Sequence, residues 1–371
     1  MILRYYPTKD STIYEKAPST NAGIDQILEI TKEGASGTTG AAVTSSYNSR
    51  ILLDFDYSTI SSSIVALGYD PNEFEYGLKL YATEASEIPL EYSLEAYPIS
   101  ASWNMGTGKA ANSPATTEGV SWYYRNGKTD LTNTWATESF STNVTASWQV
   151  NPGGGTWYTS SVASQSFNYT TTDVDMNITD IVHEIQSGSF DFNGLILKKD
   201  ESAEQSLATI GALRFYSKET NTIYSPVIEA KYDDSVNGGS ATLIDVDEEF
   251  NIIASNLRPV YKEGARPTLK FSSRYRYPPS AFQTSSVFLN NYKLPEGTQY
   301  AVYYAQSDDA VINFSDYTKL STNDGGSYFK LHLESFQPER YYRIMIKVPA
   351  SDGVSCDIYD RDWIFKIERN Q

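Results

Sequence analysis

The stretch that decides the fold class contains three segments: RILLDFDY (Arg50–Tyr57), YGLKLYAT (Tyr76–Thr83) and YSLEAYPIS (Tyr92–Ser100). Apolar or aromatic residues alternate with polar ones in these segments, which is the period of a β-strand with one buried face. Aromatic and β-branched residues, which fit the pleated surface of a sheet, are abundant here and elsewhere in the chain. The stretch therefore predicts strands and an all-β protein.

The same pattern recurs on both sides of this stretch. Further segments are STIY (Ser11–Tyr14), QILEITK (Gln26–Lys32), SVASQSFNYT (Ser161–Thr170), GLILKKD (Gly194–Asp200), ALRFYSK (Ala212–Lys218) and SPVIEAKY (Ser225–Tyr232). One helix is predicted in MNITDIVHEIQSG (Met176–Gly188), where Ile178, Ile181, Val182 and Ile185 share a helical face. Short strands separated by turns, with one short helix, predict a jelly-roll sandwich over residues 1–233.

A polar segment with a glycine pair, DDSVNGGS (Asp233–Ser240), predicts a linker over residues 234–241. The strand-like segments after it are YAVYYA (Tyr300–Ala305), YFKLHL (Tyr328–Leu333), YYRIMIKV (Tyr341–Val348) and DWIFKIE (Asp362–Glu368). NDGG (Asn323–Gly326) is typical of a hairpin turn. Residues 242–371 are therefore predicted to form a second, smaller β-sandwich domain.

The charge balance excludes two classes of partner. The 371 residues include 29 Lys and Arg against 46 Asp and Glu, a net charge of −17. Binding to nucleic acid or to an anionic membrane needs clustered basic residues, so neither partner is expected. The start of the chain, MILRYYPTKD, lacks the features of a secretory signal, and no apolar run is long enough to span a bilayer. We expect synthesis in the cytoplasm without a signal peptide.

No motif supports a catalytic, cofactor or metal site. DVDMNITDIVHE (Asp173–Glu184) has the carboxylate spacing of an EF-hand, but Ile178 occupies the position that needs glycine. His183-Glu184 lacks the second histidine of a zinc-protease motif, and the single cysteine, Cys356, excludes a thiolate cluster. Asp54 and Asp56 are predicted to lie on a solvated strand face. We therefore expect a protein that is not an enzyme and has no cofactor.

Two groups of residues are candidates for contacts with partners. The first lies near glycine-rich loops and is expected either to contact a glycan or protein or to anchor the core and loops: Trp103, Trp122, Tyr123, Tyr124, Trp157 and Tyr158, with Trp135 and Trp148. The second is a basic, tyrosine-rich stretch that is either a docking surface for an acidic partner or a solvated strand: Arg266, Arg274, Tyr275, Arg276 and Tyr277.

The order of segments in residues 1–233 resembles the DNRLRE-type domain, a jelly-roll carbohydrate-binding module. The matching segments are Asp10–Ile13, Asn21–Gly23, Arg50–Asp56, Trp103–Gly108, Gly119–Trp122, Asn193–Leu195 and the closing residues Phe215 to Tyr232. The resemblance implies a jelly-roll fold and, in most of the family, a protein outside the cell.

The whole chain, including Asn256–Phe271 and Pro338–Lys347, also resembles virion structural proteins of tailed bacteriophages. That resemblance implies a non-enzymatic component at the neck, the tail connector or a fibre-attachment site. It implies other virion proteins as partners, a homo-oligomer or ring in the particle, and localisation in the virion. The alternative hypothesis is a glycan-binding module that adheres to host-surface polysaccharide.

Overall fold

The structure is a computed structural model. It describes residues 1–34, 46–86, 89–128, 134–135, 153–168, 172–189, 191, 193–206, 210–278 and 291–370. The chain divides into two compact units. The larger unit is Tyr5–Ala230, and the smaller unit combines Met1–Arg4 with Lys231–Gln371. The first four residues therefore belong with the C-terminal part of the chain, which the sequence did not predict.

The larger unit is built from strands, as predicted. Strand β1 (Ile2–Tyr5) lies almost entirely in the smaller unit. The strands that follow it are β2 (Lys9–Tyr14), β3 (Ile27–Gly34), β4 (Ser46–Asp54), β5 (Glu75–Leu80), β6 (Ala82–Ser86), β7 (Tyr92–Pro98), β8 (Ala163–Phe167), β9 (Val174–Asn177), β10 (Leu195–Lys199), β11 (Ile210–Tyr216) and β12 (Val227–Lys231). One sheet has the order β6-β11-β3-β4-β10-β7-β8, with β2 paired to β4. In a second sheet, β12, β5 and β9 lie side by side.

Three α-helices occur in the described residues, where the sequence predicted one. They are α1 (Tyr57–Ala66), α2 (Thr179–Gln186) and α3 (Glu201–Gln205). Helix α2 is the predicted helix, and it buries Ile181, Val182 and Ile185. Helix α1 escaped prediction because its sequence is rich in Ser and Thr, which compete with the backbone for hydrogen bonds and favour helix caps over helix interiors.

The smaller unit is a β-sandwich. Its remaining strands are β13 (Thr242–Leu243), β14 (Phe250–Ala254), β15 (Val260–Lys262), β16 (Thr268–Tyr275), β17 (Tyr292–Lys293), β18 (Gln299–Tyr304), β19 (Ala310–Ile312), β20 (Ser321–Asn323), β21 (Gly326–Lys330), β22 (Tyr341–Pro349) and β23 (Cys356–Glu368). One sheet has the order β13-β17-β16-β21-β20 with β14 paired to β16, and the other is β15-β23-β22-β18-β19. Aromatic contacts join the sheets: Phe271 lies edge-on to Trp363 at 5.1 Å, and Tyr300 stacks on Phe329 at 3.9 Å. The all-β sandwich class is thereby confirmed.

The segment predicted as a linker is bound to the smaller unit along strand β20. The backbone N–H of Val236 donates to Ser321 Oγ at 3.0 Å, and Thr322 N donates back to Val236 O at 2.9 Å. Gly238 N donates to Thr322 Oγ1 at 3.1 Å. These bonds satisfy polar groups at the edge of the sheet, so the segment covers an edge strand and is not a free tether.

Candidate functional site

Three of the segments that carry the DNRLRE resemblance meet at one buried side chain, Asn21, which is 0% exposed. Its Nδ2 donates to the carbonyl oxygens of Met105 at 2.7 Å and Val120 at 2.8 Å. Its Oδ1 accepts a hydrogen bond from Gly108 N at 2.7 Å. The Asn-x-Gly turn, the loop after Trp103 and the loop before Trp122 are therefore held together by one amide.

Two glycines allow these loops to approach each other so closely. A Cβ at Gly23 would lie 2.0 Å from the carbonyl oxygen of Met105. Gly119 has a φ of +107°, and a Cβ there would lie 2.5 Å from the Cα of Gly106. Both positions need a residue without a side chain, so the glycines are a packing requirement of the loops.

The tryptophans of the aromatic group lie in the core. Trp103, Trp122 and Trp157 are 3%, 0% and 6% exposed, and Trp135 is 0% exposed. They pack with Leu52 and other buried residues of the sheet into one hydrophobic cluster. Of the two roles that the sequence left open for Trp103, Trp122 and Trp157, their burial supports the role of core and loop anchors. Trp148 lies outside the described residues.

Buried cations cover the faces of these indole rings. The guanidinium of Arg50 lies 4.9 Å from the ring centre of Trp122 and 5.1 Å from that of Trp157. Arg50 also donates to Glu204 through Nε at 2.9 Å and Nη2 at 2.7 Å, and to Gly154 O at 2.6 Å. Burial works to raise the pKa of Glu204, but the Arg50 and Lys198 cations outweigh it and hold that pKa below its ordinary value. The arrangement is a buried ion pair that orients helix α3.

A second buried lysine beside this ion pair has a different environment. Lys199, at the end of β10, is 3% exposed, and its Nζ has no hydrogen-bond partner among the described residues. Burial lowers the pKa of Lys199 to about 7, and the nearby Glu204 carboxylate only partly opposes this shift. An ammonium at this position costs folding free energy near neutral pH.

Three tyrosines of the aromatic group keep part of their surface. Tyr123, Tyr124 and Tyr158 are intermediate in exposure. The rings of Tyr123 and Tyr124 meet edge to face at 6.0 Å. Among the members of the predicted group that the structure describes, these three combine aromatic rings with access to solvent, so they remain candidates for contact with a glycan or protein.

The paired carboxylates Asp54 and Asp56 have structural roles. Asp56 caps helix α1, accepting hydrogen bonds from Thr59 N at 3.1 Å and from the hydroxyls of Ser58 and Thr59, each at 2.6 Å. The hydroxyl donors and the backbone donor lower the pKa of Asp56 to about 2. Asp54 pairs with Lys9 Nζ at 2.8 Å. The prediction that both carboxylates share a strand face is wrong, because β4 ends at Asp54.

The EF-hand-like segment also has no arrangement for calcium. Asp173 accepts a hydrogen bond from Ala82 N at 2.7 Å, and Asp175 pairs with Lys79 at 3.7 Å. His183 and Glu184 line a surface cleft of about 460 Å³ and are half-buried, whereas the sequence placed them on a solvated helix face. No group of three or more metal-ligating side chains occurs within the described residues.

Of the predicted basic docking residues, two arginines are neutralised within the chain. Arg266 donates to both carboxylate oxygens of Glu334 at 3.0 and 3.2 Å, and Arg276 pairs with Glu249 at 2.9 Å. Tyr275 is half-buried and its hydroxyl accepts from the backbone of Asp245, whereas Tyr277 is 73% exposed. The predicted residues therefore do not form one surface.

The remaining arginine belongs to a different basic surface. Arg274 and Lys270 project from the outer side of β16, and register places Lys330 of β21 and Lys293 of β17 on the same side. None of the four forms an ion pair within the described part of the chain, and we call them the basic face. Outward positions on these strands and on neighbouring β14 carry no carboxylate: Asn251, Ile253, Thr268, Ser272 and Tyr328 complete the surface.

Sequence reasoning found one of the four residues of the basic face. Lys270 and Arg274 are four residues apart, which places them on the same side of a strand, and this period was visible in the sequence. Lys330 and Lys293 reach the surface only through the pairing of β16 with β21 and β17. No signal in the sequence gives that register.

No protein-family model and no curated protein matches this sequence. Among solved structures, the chain has a remote similarity to a DUF4785 family protein from Legionella pneumophila, with 8% identity and a TM-score of 0.21. The match covers 99% of this chain, which spans 62% of the length of that protein. Among the described residues, no helix combines the length and the apolar character needed to cross a membrane.

Proposed function

We propose that this chain is a non-enzymatic structural protein of a tailed-bacteriophage virion, which docks neighbouring subunits at the neck, the tail connector or a fibre-attachment site. The resemblance of segments such as Asn256–Phe271 to virion structural proteins supports the class. The structural roles of Asp54 and Asp56, an ion pair and a helix cap, support a role without catalysis. The docking partners are other virion proteins, including further copies of this chain.

The basic face carries this proposal. Lys270, Arg274, Lys293 and Lys330 form a positive surface without carboxylates on a chain whose net charge is −17. Several other cations in the same unit are paired, for example Arg266 with Glu334 and Arg276 with Glu249. A sheet face kept free of internal counter-ions is suited to an acidic protein surface, where complementary charge directs the encounter and fixes its orientation.

Two measurements on particles test the proposal. Mass spectrometry of virions purified from a lysate in which the chain is made should detect it at a fixed copy number. A face variant with Lys270→Glu, Arg274→Glu and Lys330→Glu should be lost from particles, while its unfolding in urea stays close to wild type. Arg340→Glu is a matched control, because Arg340 is exposed in the same unit but lies off the basic face. Absence of the protein from particles, or normal incorporation of the face variant, rejects the proposal.

A second candidate function, glycan binding at the host surface, is favoured by one observation. Tyr123, Tyr124 and Tyr158 retain exposed ring surface while the neighbouring tryptophans are buried. Aromatic rings of this kind stack on sugars. Calorimetric titration with host-surface polysaccharide should give heat that disappears in Tyr123→Ala/Tyr124→Ala, and titrations without heat across a broad glycan panel remove this candidate.

A further inference from the structure

The smaller unit has an apolar groove of about 580 Å³ beside the basic face. Its apolar lining consists of Leu243, Ile244, Val246, Pro295, Pro349 and Ala350. Leu243 is 56% exposed, and Val354, in the turn that borders the groove, is 91% exposed. Apolar side chains this exposed, in the lining of a concave surface and directly beside it, are typical of a site that another surface covers.

Carboxylates lie around this groove, and none of the three named below forms an ion pair with a cation among the described residues. Asp245 and Glu296 line it, and Asp352 lies in the turn between Ser351 and Gly353, which also line it. Their hydrogen-bond donors are neutral: Asp247 N donates to Asp245, Asn237 Nδ2 to Glu296, and the backbone and hydroxyl of Ser355 to Asp352. The groove is therefore apolar in the centre and negative at the rim.

The basic face has the opposite arrangement. An exposed apolar side chain, Ile253 at 49%, lies within it beside Ser272, and Lys270 and Arg274 flank Ser272 on the same side of β16. The two surfaces are thus complementary in both charge and apolar content. Because the chain is acidic overall, the positive basic face attracts a second copy of it electrostatically.

We propose that two copies of this chain associate through these surfaces, with the basic face of one copy on the acidic-rimmed groove of the other. The surfaces adjoin, because Lys293 of the basic face pairs across the parallel strands with Leu243 of the groove. When a two-fold axis passes between the two adjoining surfaces, the basic face of each copy meets the groove of the other. The same contact then forms twice, and the assembly closes as a dimer. This inference rests on the proposed docking function and names the partner as a second copy.

Analytical ultracentrifugation of the purified full chain tests the dimer. In about 50 mM salt the wild type should sediment as a dimer at protein concentrations of up to about 100 µM. In about 500 mM salt the equilibrium should shift toward monomer, because salt screens exposed charges. The face variant described above should weaken dimerisation about tenfold or more, and so should a groove variant with Asp245→Lys and Glu296→Lys. Arg340→Glu should leave the dimer unchanged.

Mixing the two variants gives the decisive result. In the mixture, the negative face of one variant meets the positive groove of the other, and its negative groove meets the other's positive face, so a heterodimer should form. Recovery of dimer mass also shows that both variants are folded. A wild type that stays monomeric, or variants that dimerise alone as well as wild type does, overturns the inference. Particle incorporation of the face variant is measured separately, so docking to a different acidic subunit can survive when the dimer fails.

Discussion

Replacing Asn21 by alanine should destabilise the larger unit strongly, because this side chain makes three hydrogen bonds of 2.7 to 2.8 Å to backbone groups of other loops. The substitution leaves the carbonyls of Met105 and Val120 and the N–H of Gly108 without their partner. A buried polar group that loses its partner costs about 1–3 kcal/mol, so even the lower bound gives a loss of about 3 kcal/mol. Asn21→Asp should be at least as harmful near neutral pH, because a carboxylate keeps the acceptor for Gly108 but faces two carbonyl oxygens without a donor.

Urea unfolding followed by tryptophan fluorescence measures this loss, since five of the six tryptophans lie in the larger unit. With a slope of about 2 kcal/mol per molar urea, a loss of about 3 kcal/mol moves the midpoint down by about 1.5 M. Asn112→Ala is the matched control, because Asn112 is exposed in the loop after Trp103, and its side-chain amide donates to Thr116 Oγ1 and holds no other loop among the described residues. If Asn21→Ala and Asn112→Ala shift the midpoint equally, the side chain of Asn21 does not hold these loops together.

Three further substitutions test the buried charges. Glu204→Gln leaves the Arg50 guanidinium without its counter-ion and should lower the free energy of unfolding by about 3–5 kcal/mol. The control is Lys16→Ala, which removes the exposed pair with Glu33 and should cost less than about 1 kcal/mol. Similar losses for the two variants would contradict the ion-pair role. Lys199→Met should stabilise the unit, and more at pH 6 than at pH 9. The pKa of Lys199 is lowered from 10.5 to about 7 in the folded chain, so the free energy that its protonation costs grows as the pH falls from 10.5 to about 7 and is complete below that value. A variant that is destabilised at both pH values counts against a neutral Lys199. Burial raises the pKa of Asp10 from 3.8 to about 7, so the stability it contributes below pH 3.8 disappears as the pH rises through about 7. Asp10→Asn should flatten that dependence in urea titrations between pH 5 and pH 8, and an unchanged slope would exclude Asp10 as its source.

The strands were predictable because their signal is local. Alternation in YSLEAYPIS gave β7 at Tyr92–Pro98, and NDGG gave the two-residue turn in which Asn323 pairs with Gly326. The failures have equally local reasons. The alternation in RILLDFDY continues past Asp54, where β4 ends, and predicted a longer strand. Asp56 instead caps helix α1, and a cap is recognised by the backbone N–H groups that it binds, which the alternation does not show.

The role of the tryptophans was not predictable, because burial depends on contacts that are distant in sequence. Trp122 is covered by Arg50, 72 positions earlier in the chain, and Arg50 is fixed by Glu204 and Gly154. An aromatic residue beside a glycine-rich loop has the same local sequence whether a cation covers its face or solvent does. Only the pairing of distant residues separates the two cases.

The same reasoning explains why the basic face differs from the basic stretch that the sequence predicted as a docking surface. Arg266, Arg274 and Arg276 lie within eleven residues, yet Glu334 and Glu249 neutralise the first and the last. The positive charge that remains free on Arg274 gains its neighbours from β21 and β17, which join β16 through backbone hydrogen bonds. Surface charge in an acidic β-protein is therefore set by strand register: pairing decides which cations meet a carboxylate and which gather on a face without one. A register shift of one residue would turn Lys270 and Arg274 inward, so the basic face depends on the pairing that builds the sandwich core.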